Sequence, residues 1–196
     1  MMGRLGGGFW GRSKIAATGA VALALAACAS TPSTIYDLAA ARPSSAHGLR
    51  AQIRIGQPTA TADLDSDHIL VRDSQTLATL AGAVWPEPLP ALFRARLAQS
   101  FVNAGLGHAI DGPAANADYE VDLDIRAFEF DAETKEAHVD IAAWIVALGS
   151  GRIAADQIFT LRAPVASTGA ADVAAALNQA ASTVMTGIVK FVAKAL

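Results

Sequence analysis

The chain has 196 residues, of which 53% are hydrophobic, with 15 Lys and Arg against 18 Asp and Glu for a net charge of −3. A mildly acidic chain lacks the basic surplus that draws a protein to nucleic acid or to an anionic bilayer. Its single cysteine excludes an internal disulfide.

That cysteine stands at a telling place. Arg4, Arg12 and Lys14 precede an apolar run from Ile15 to Ala27 (IAATGAVALALAA), and no acidic residue lies before position 28. A basic head, a short apolar middle and small residues before a break form a secretory signal. The run is shorter than the about 20 apolar residues a membrane span needs. No two arginines are adjacent, so ordinary rather than twin-arginine export is expected. Leu25-Ala26-Ala27-Cys28 has the form of a bacterial lipobox: an aliphatic residue, two small ones, then the thiol that accepts lipid. The alternative is an ordinary signal peptide with an incidental cysteine. Expected domains are therefore a signal peptide over 1–27, a lipidated tether over 28–34 and one folded domain over 35–196.

The mature chain of 169 residues carries 12 basic and 18 acidic side chains, a net −6. It is long enough for one domain with a core. No basic amphipathic helix supplements the anchor, so acyl chains must hold the protein, and stable attachment takes at least two.

Along the mature chain, Ile35–Leu38 reads as a first strand and 39–48 as a loop. Leu49 to Ile55 alternates as a half-buried strand, with Leu49, Ala51, Ile53 and Ile55 on one face. Ile69–Arg72 and Thr76–Leu80 read as a short strand pair. The proline-rich Trp85–Pro90 opens a helix in which Leu89, Leu92, Phe93, Leu97 and Phe101 form one stripe, ended by Gly105. Asp118–Ile125 alternates acid-out and apolar-in. The phase slips at Ala127-Phe128, which predicts a bulge. Glu136–Leu148 and Ile153–Arg162 follow across short turns, giving an antiparallel meander with Phe159 and Leu161 inward. Thr168 is the expected N-cap of a last helix with Val173, Leu177, Ala180, Val184, Ile188 and Phe191 on its buried face. The expected fold is a two-layer α+β domain, a largely antiparallel sheet with two amphipathic helices packed on one face.

Catalytic and metal-binding patterns are absent from this sequence. His47, His68, His108 and His138 share no ligand spacing, and no phosphate loop, zinc-protease helix or nucleophile elbow occurs. Asp63, Asp65 and Asp67 begin like a calcium loop, but His68 and Ser74 stand where glycine and glutamate are required. The row Asp118, Glu120, Asp122, Asp124 reads as the solvated face of a strand. No enzyme, cofactor or metal is expected.

Ala142, Trp144, Val146 and Leu148 carry more information. They lie opposite Val139, Ile141 and Ile145, so this strand end is apolar on both sides. One side meets the helices. The other must meet a loop of the chain (39–48 or 56–67), a second subunit, a partner or an apolar ligand. Trp85 is assigned either to the same surface or to the core.

Three segments also match a known pattern in order. Leu64-Asp65-Ser66-Asp67-His68-Ile69-Leu70-Val71-Arg72, then Ala81–Trp85 with Leu89–Leu92, then Ala117-Asp118-Tyr119 with Asp124–Glu129 resemble the ABC-type transport auxiliary lipoprotein family. Tyr36-Asp37-Leu38 fits the family's start, while His68 and Val84 depart from its commoner arginine. The resemblance implies a non-catalytic lipoprotein accompanying an ABC permease, an ATPase and an MCE-domain substrate-binding protein that move phospholipid or other apolar cargo between the two membranes. A homo-oligomer is compatible with it. Ala29 follows the lipidated cysteine in place of the aspartate that retains lipoproteins at the inner membrane, so the expected address is the outer membrane, facing the periplasm. The competing expectation is a structural or assembly lipoprotein of the envelope with no part in lipid transport. An envelope hydrolase is disfavoured by the residue inventory.

Overall fold

The computed structural model describes residues 33–44, 49–107 and 117–196. In chain order the elements are β1 (Thr34–Ile35), β2 (Ile53–Ile55), β3 (Thr59–Ala60), β4 (His68–Asp73), β5 (Thr76–Val84), α1 (Leu89–Asn103), β6 (Tyr119–Asp131), β7 (Glu136–Ala147), β8 (Arg152–Pro164) and α2 (Ala170–Ala195).

The strands form one eight-stranded sheet in the order β1-β5-β4-β6-β7-β8, with β2 and β3 also paired to β6. The long pairs β6/β7 and β7/β8 are antiparallel, as is β4/β5. The short strands differ from the expectation: β1 runs parallel to β5, and β2, β3 and β4 all run parallel to β6. The sheet is thus mixed and mostly antiparallel. β6 makes this possible because it is longer than any one neighbour on that side. β2 and β3 take its first part, and β4 takes its last three residues.

Alternation decides which face is covered. On β7, Ala137, Val139, Ile141, Ala143 and Ile145 are fully buried beneath the helices. On β6, Val121, Leu123 and Ile125 share that face, and a register shift between Ile125 and Ala127 returns Phe128 and Phe130 to it. This is the predicted bulge, with Arg126 as the extra residue. A second shift, between Ile145 and Val146, is new. β8 is the outer strand of the meander.

α1 and α2 pack on the sheet and touch each other, and α2 runs against β5, β6, β7 and β8. The stripe Leu89, Leu92, Phe93, Leu97, Phe101 of α1 is buried as its spacing required. The start of α1 is docked by the segment before β4: Leu89 N–H donates to the Ser66 carbonyl and Trp85 N–H to the Asp67 carbonyl. The first of these bonds occupies an amide that a helix start otherwise leaves unpaired. The Asp63–Asp67 turn therefore anchors a helix. α1 is also fixed at its side, where Arg96 pairs with Asp37 and the Ser100 hydroxyl accepts the Ala41 N–H.

Thr168 is not the N-cap of α2. Gly169 takes that position, with φ −67° and ψ 145°, and the Ser167 hydroxyl accepts the Gly169 N–H while bonding Asp172 in the first turn. Among the described residues, no helix is long and apolar enough to cross a membrane.

Candidate functional site

Cys28, with Leu25, Ala26 and Ala27, lies outside the described residues, as do His47 and His108. The site questions that the fold can address concern the sheet face turned away from the helices and the outer edge at β8.

The open face is built from the even side of β7 and its neighbours. Trp144 stands between Asp122 on β6 and Asp156 on β8, Ala142 between Asp124 and Ile158, and Val146 between Glu120 and Ile153. Ala142 is buried, while Trp144 and Val146 are half-buried and Ile153 and Ile158 stand out at 59% and 55% exposure. Asp124, Arg126, Trp144, Asp156 and Ile158 line a shallow hollow of about 240 Å³. The surface is an apolar strip bordered by a row of carboxylates on β6 and interrupted by Asp156 on β8. Asp122 is held above the ordinary carboxylate range, first by burial and then by the neighbouring charge of Glu120, against the opposing pull of Arg54. Gly56 explains the burial: its backbone lies so close that a Cβ there would sit 2.6 Å from an Asp122 carboxylate oxygen.

The sequence-predicted residues are only partly brought together. Trp144 and Val146 share this face. Leu148 lies just past the end of β7, where its N–H donates to the Asp118 carbonyl. Trp85 belongs to the core instead: it is 1% exposed and packs edge-on against Phe128, with ring centroids 5.9 Å apart. It lies in the connection from β5 to α1 and reaches across to β6, where Phe128 stands.

At the other end of the open face lies a charged cluster that sequence reasoning missed. Glu129 is 3% exposed and forms a two-bond ion pair with Arg72 across β6 and β4. That hydrogen bond pushes the Arg72 guanidinium further up from its already high value. His138 stands beside Glu129 and Arg162 in register. Burial, then the charge of Arg162, pull its imidazole down, against the carboxylates Glu129, Asp140 and Asp131. Asp131 is lowered chiefly by the Thr134 N–H, and Arg162 bonds it as well. Arg72 and Glu129 each fall in one of the family-like segments, but nothing in either segment marks the other as its partner. Among the described residues, no group of three or more His, Cys, Asp or Glu is placed to hold a metal.

The outer edge carries a second feature. Phe159, Leu161 and Phe191, expected inside, are only partly covered. They leave a groove of about 760 Å³ between β8 and α2, with Lys190 and Lys194 at one end.

The comparisons with known proteins agree with this architecture. A crystal structure of a Xanthomonas campestris protein assigned to family DUF330 is 27% identical, with a TM-score of 0.77 over 83% of this chain and 96% of that one. A crystal structure of an uncharacterized protein shares the fold at a TM-score of 0.66 and 12% identity, over 82% of this chain and 98% of that one. An uncharacterized protein of Bradyrhizobium diazoefficiens is 31% identical over 118 residues, which span 58% of this chain and 32% of that relative. The family model described as the ABC-type transport auxiliary lipoprotein component matches residues 36–189, and the chain belongs to that family.

Proposed function

We propose that this lipoprotein, an auxiliary component of an ABC-type transport system, is held in the outer membrane by lipid on Cys28 and serves an MCE-type transporter without catalysing a reaction itself. In this reading residues 1–27 are the cleaved signal, 28–34 the tether and 35–196 the working domain. The cargo is phospholipid or another apolar molecule passing between the inner and outer membranes. The domain binds the MCE-domain partner through the open sheet face.

The observation that carries the reading is the uncovered strip of Trp144, Val146, Ile153 and Ile158 on a sheet whose other face already has its helices. A rigid aromatic among half-buried aliphatics is the composition of an interface centre. The flanking carboxylates of Glu120, Asp122, Asp124 and Asp156 favour a partner surface that is basic at its rim.

Trp144→Ala tests it. The variant is expected to keep its fold, since Trp144 lies outside the helix-covered core, and to lose the MCE partner on co-purification, with a weakening of about 2 kcal/mol or more. A folded variant that still co-purifies places the contact elsewhere. An unfolded variant returns Trp144 to the domain's own core. A wild-type protein that never co-purifies with MCE, permease or ATPase subunits fits a structural lipoprotein instead.

A further inference from the structure

The groove between β8 and α2 has a distribution of charge that the transport reading does not use. Its walls are Phe159 and Leu161 from the sheet and Val184, Gly187 and Phe191 from the helix. Phe159 and Phe191 meet edge to face, with centroids 5.9 Å apart. Gly187 is what brings α2 so close: a Cβ at that position would lie 3.0 Å from the Phe159 ring. Every lining residue is uncharged except Lys190 and Lys194, which sit together at the C-terminal end of α2.

These two lysines are one helical turn apart, so their ammonium groups share one face. Among the described residues neither has an ion-pair partner. The helix dipole accounts for Lys194, which is in the last turn, but its effect has faded by Lys190. On a chain of net charge −3, two unpaired cations beside one apolar channel are a local inversion of sign. An uncharged run ending in a cationic pair is complementary to a molecule with one apolar tail and one anionic head. The volume falls within the about 300–1,000 Å³ typical of small-ligand sites.

We propose that this groove binds one acyl chain of an anionic glycerophospholipid, with the tail along Phe159, Leu161, Val184 and Phe191 and the phosphate held between Lys190 and Lys194. The proposal rests on the reading that the transport system carries lipid, and it locates the lipid contact on this chain. The groove lies at β8, one edge of the sheet, whereas the chain enters the domain at β1, the opposite edge.

The test uses the processed, full-length lipoprotein in phosphatidylcholine vesicles doped with a phosphatidylglycerol that carries a photoactivatable diazirine on one acyl chain. Peptide mapping after illumination is expected to place the label on residues 157–161 and 183–195. Lys190→Glu combined with Lys194→Glu should lower that label about tenfold, while a phosphatidylcholine probe, whose phosphate is offset by its own choline cation, should label less in the wild type and lose less on the charge reversal. Gly187→Leu should lower the label from both probes by filling the channel. Thr183→Trp blocks the same channel from the exposed rim and serves if Gly187→Leu fails to fold. All these variants should retain the MCE partner, whereas Trp144→Ala should lose the partner and keep the label. Label spread evenly over the surface, or groove label indifferent to the lysines and to the blocking residues, overturns the proposal and leaves the groove to a peptide strand or a second copy. Loss of the partner from the wild type bears on the transport reading alone.

Discussion

At the scale of single residues, His138 is the most informative titratable group. Burial and the nearby Arg162 cation keep its imidazole neutral to lower pH than usual, and Glu129, Asp140 and Asp131 only partly offset them. The unfolded chain has an ordinary histidine near 6.5. Below that value the unfolded state therefore binds the proton more readily, and stability falls with pH until the lowered folded value is passed. His138→Gln is expected to flatten the slope of Tm between about pH 5 and pH 7. An unchanged slope would mean that another group governs this window. Asp122 works in the opposite sense at lower pH. Its folded value is raised, so its protonation relieves a cost that the fold bears above it.

Between elements, the decisive link is the Arg72–Glu129 pair that ties β4 to β6. Its two halves are unequal: Glu129 is 3% exposed, while the Arg72 side chain is 39% exposed. Removing the cation leaves a buried carboxylate alone, whereas removing the carboxylate leaves a guanidinium that can turn to water. Arg72→Met should therefore cost about 3 kcal/mol, and Glu129→Gln about 1 kcal/mol, in denaturant unfolding. Equal costs would show that the site is wetter than its burial implies. The same element scale shows where sequence patterns carried through. The alternation of β6, the slip at Ala127 and the stripe of α1 each follow from local spacing, because the pleat and the helical turn fix which side chains share a face. The parallel pairing of β2, β3 and β4 with β6 was not legible, since pairings of two or three residues carry no mark of their partner's direction. The N-cap was missed for a similar reason: Ser167, Thr168 and Gly169 all suit a helix start, and only the path of the loop chose Gly169.

For the whole molecule, the anchor and its address are separable tests. Cys28→Ser should abolish incorporation of a labelled fatty acid and leave an uncleaved precursor. Persistent label would sink the lipobox assignment. In the wild type, Ala29 directs the protein to the outer membrane in this reading, and fractionation with inner-membrane markers alone would contradict it. The two surfaces proposed for work are at the open sheet face and at the β8 edge.

The sequence by itself determined the two amphipathic helices, the β6–β8 meander and the family, because each of these is written in contiguous residues or in short-period spacing. Only the tertiary structure decided the rest. Trp85 went to the core, where it packs on Phe128 of β6, a contact no local pattern encodes. Trp144 stayed half-buried because it stands on the even face of β7, turned away from the helices. Arg72 and Glu129 met across 57 residues. The groove formed because a glycine on α2 came to rest against Phe159 on the outer strand. Each of these depends on which distant segments pack together, and chain packing is set by the sum of many burials rather than by any one residue's neighbours in sequence.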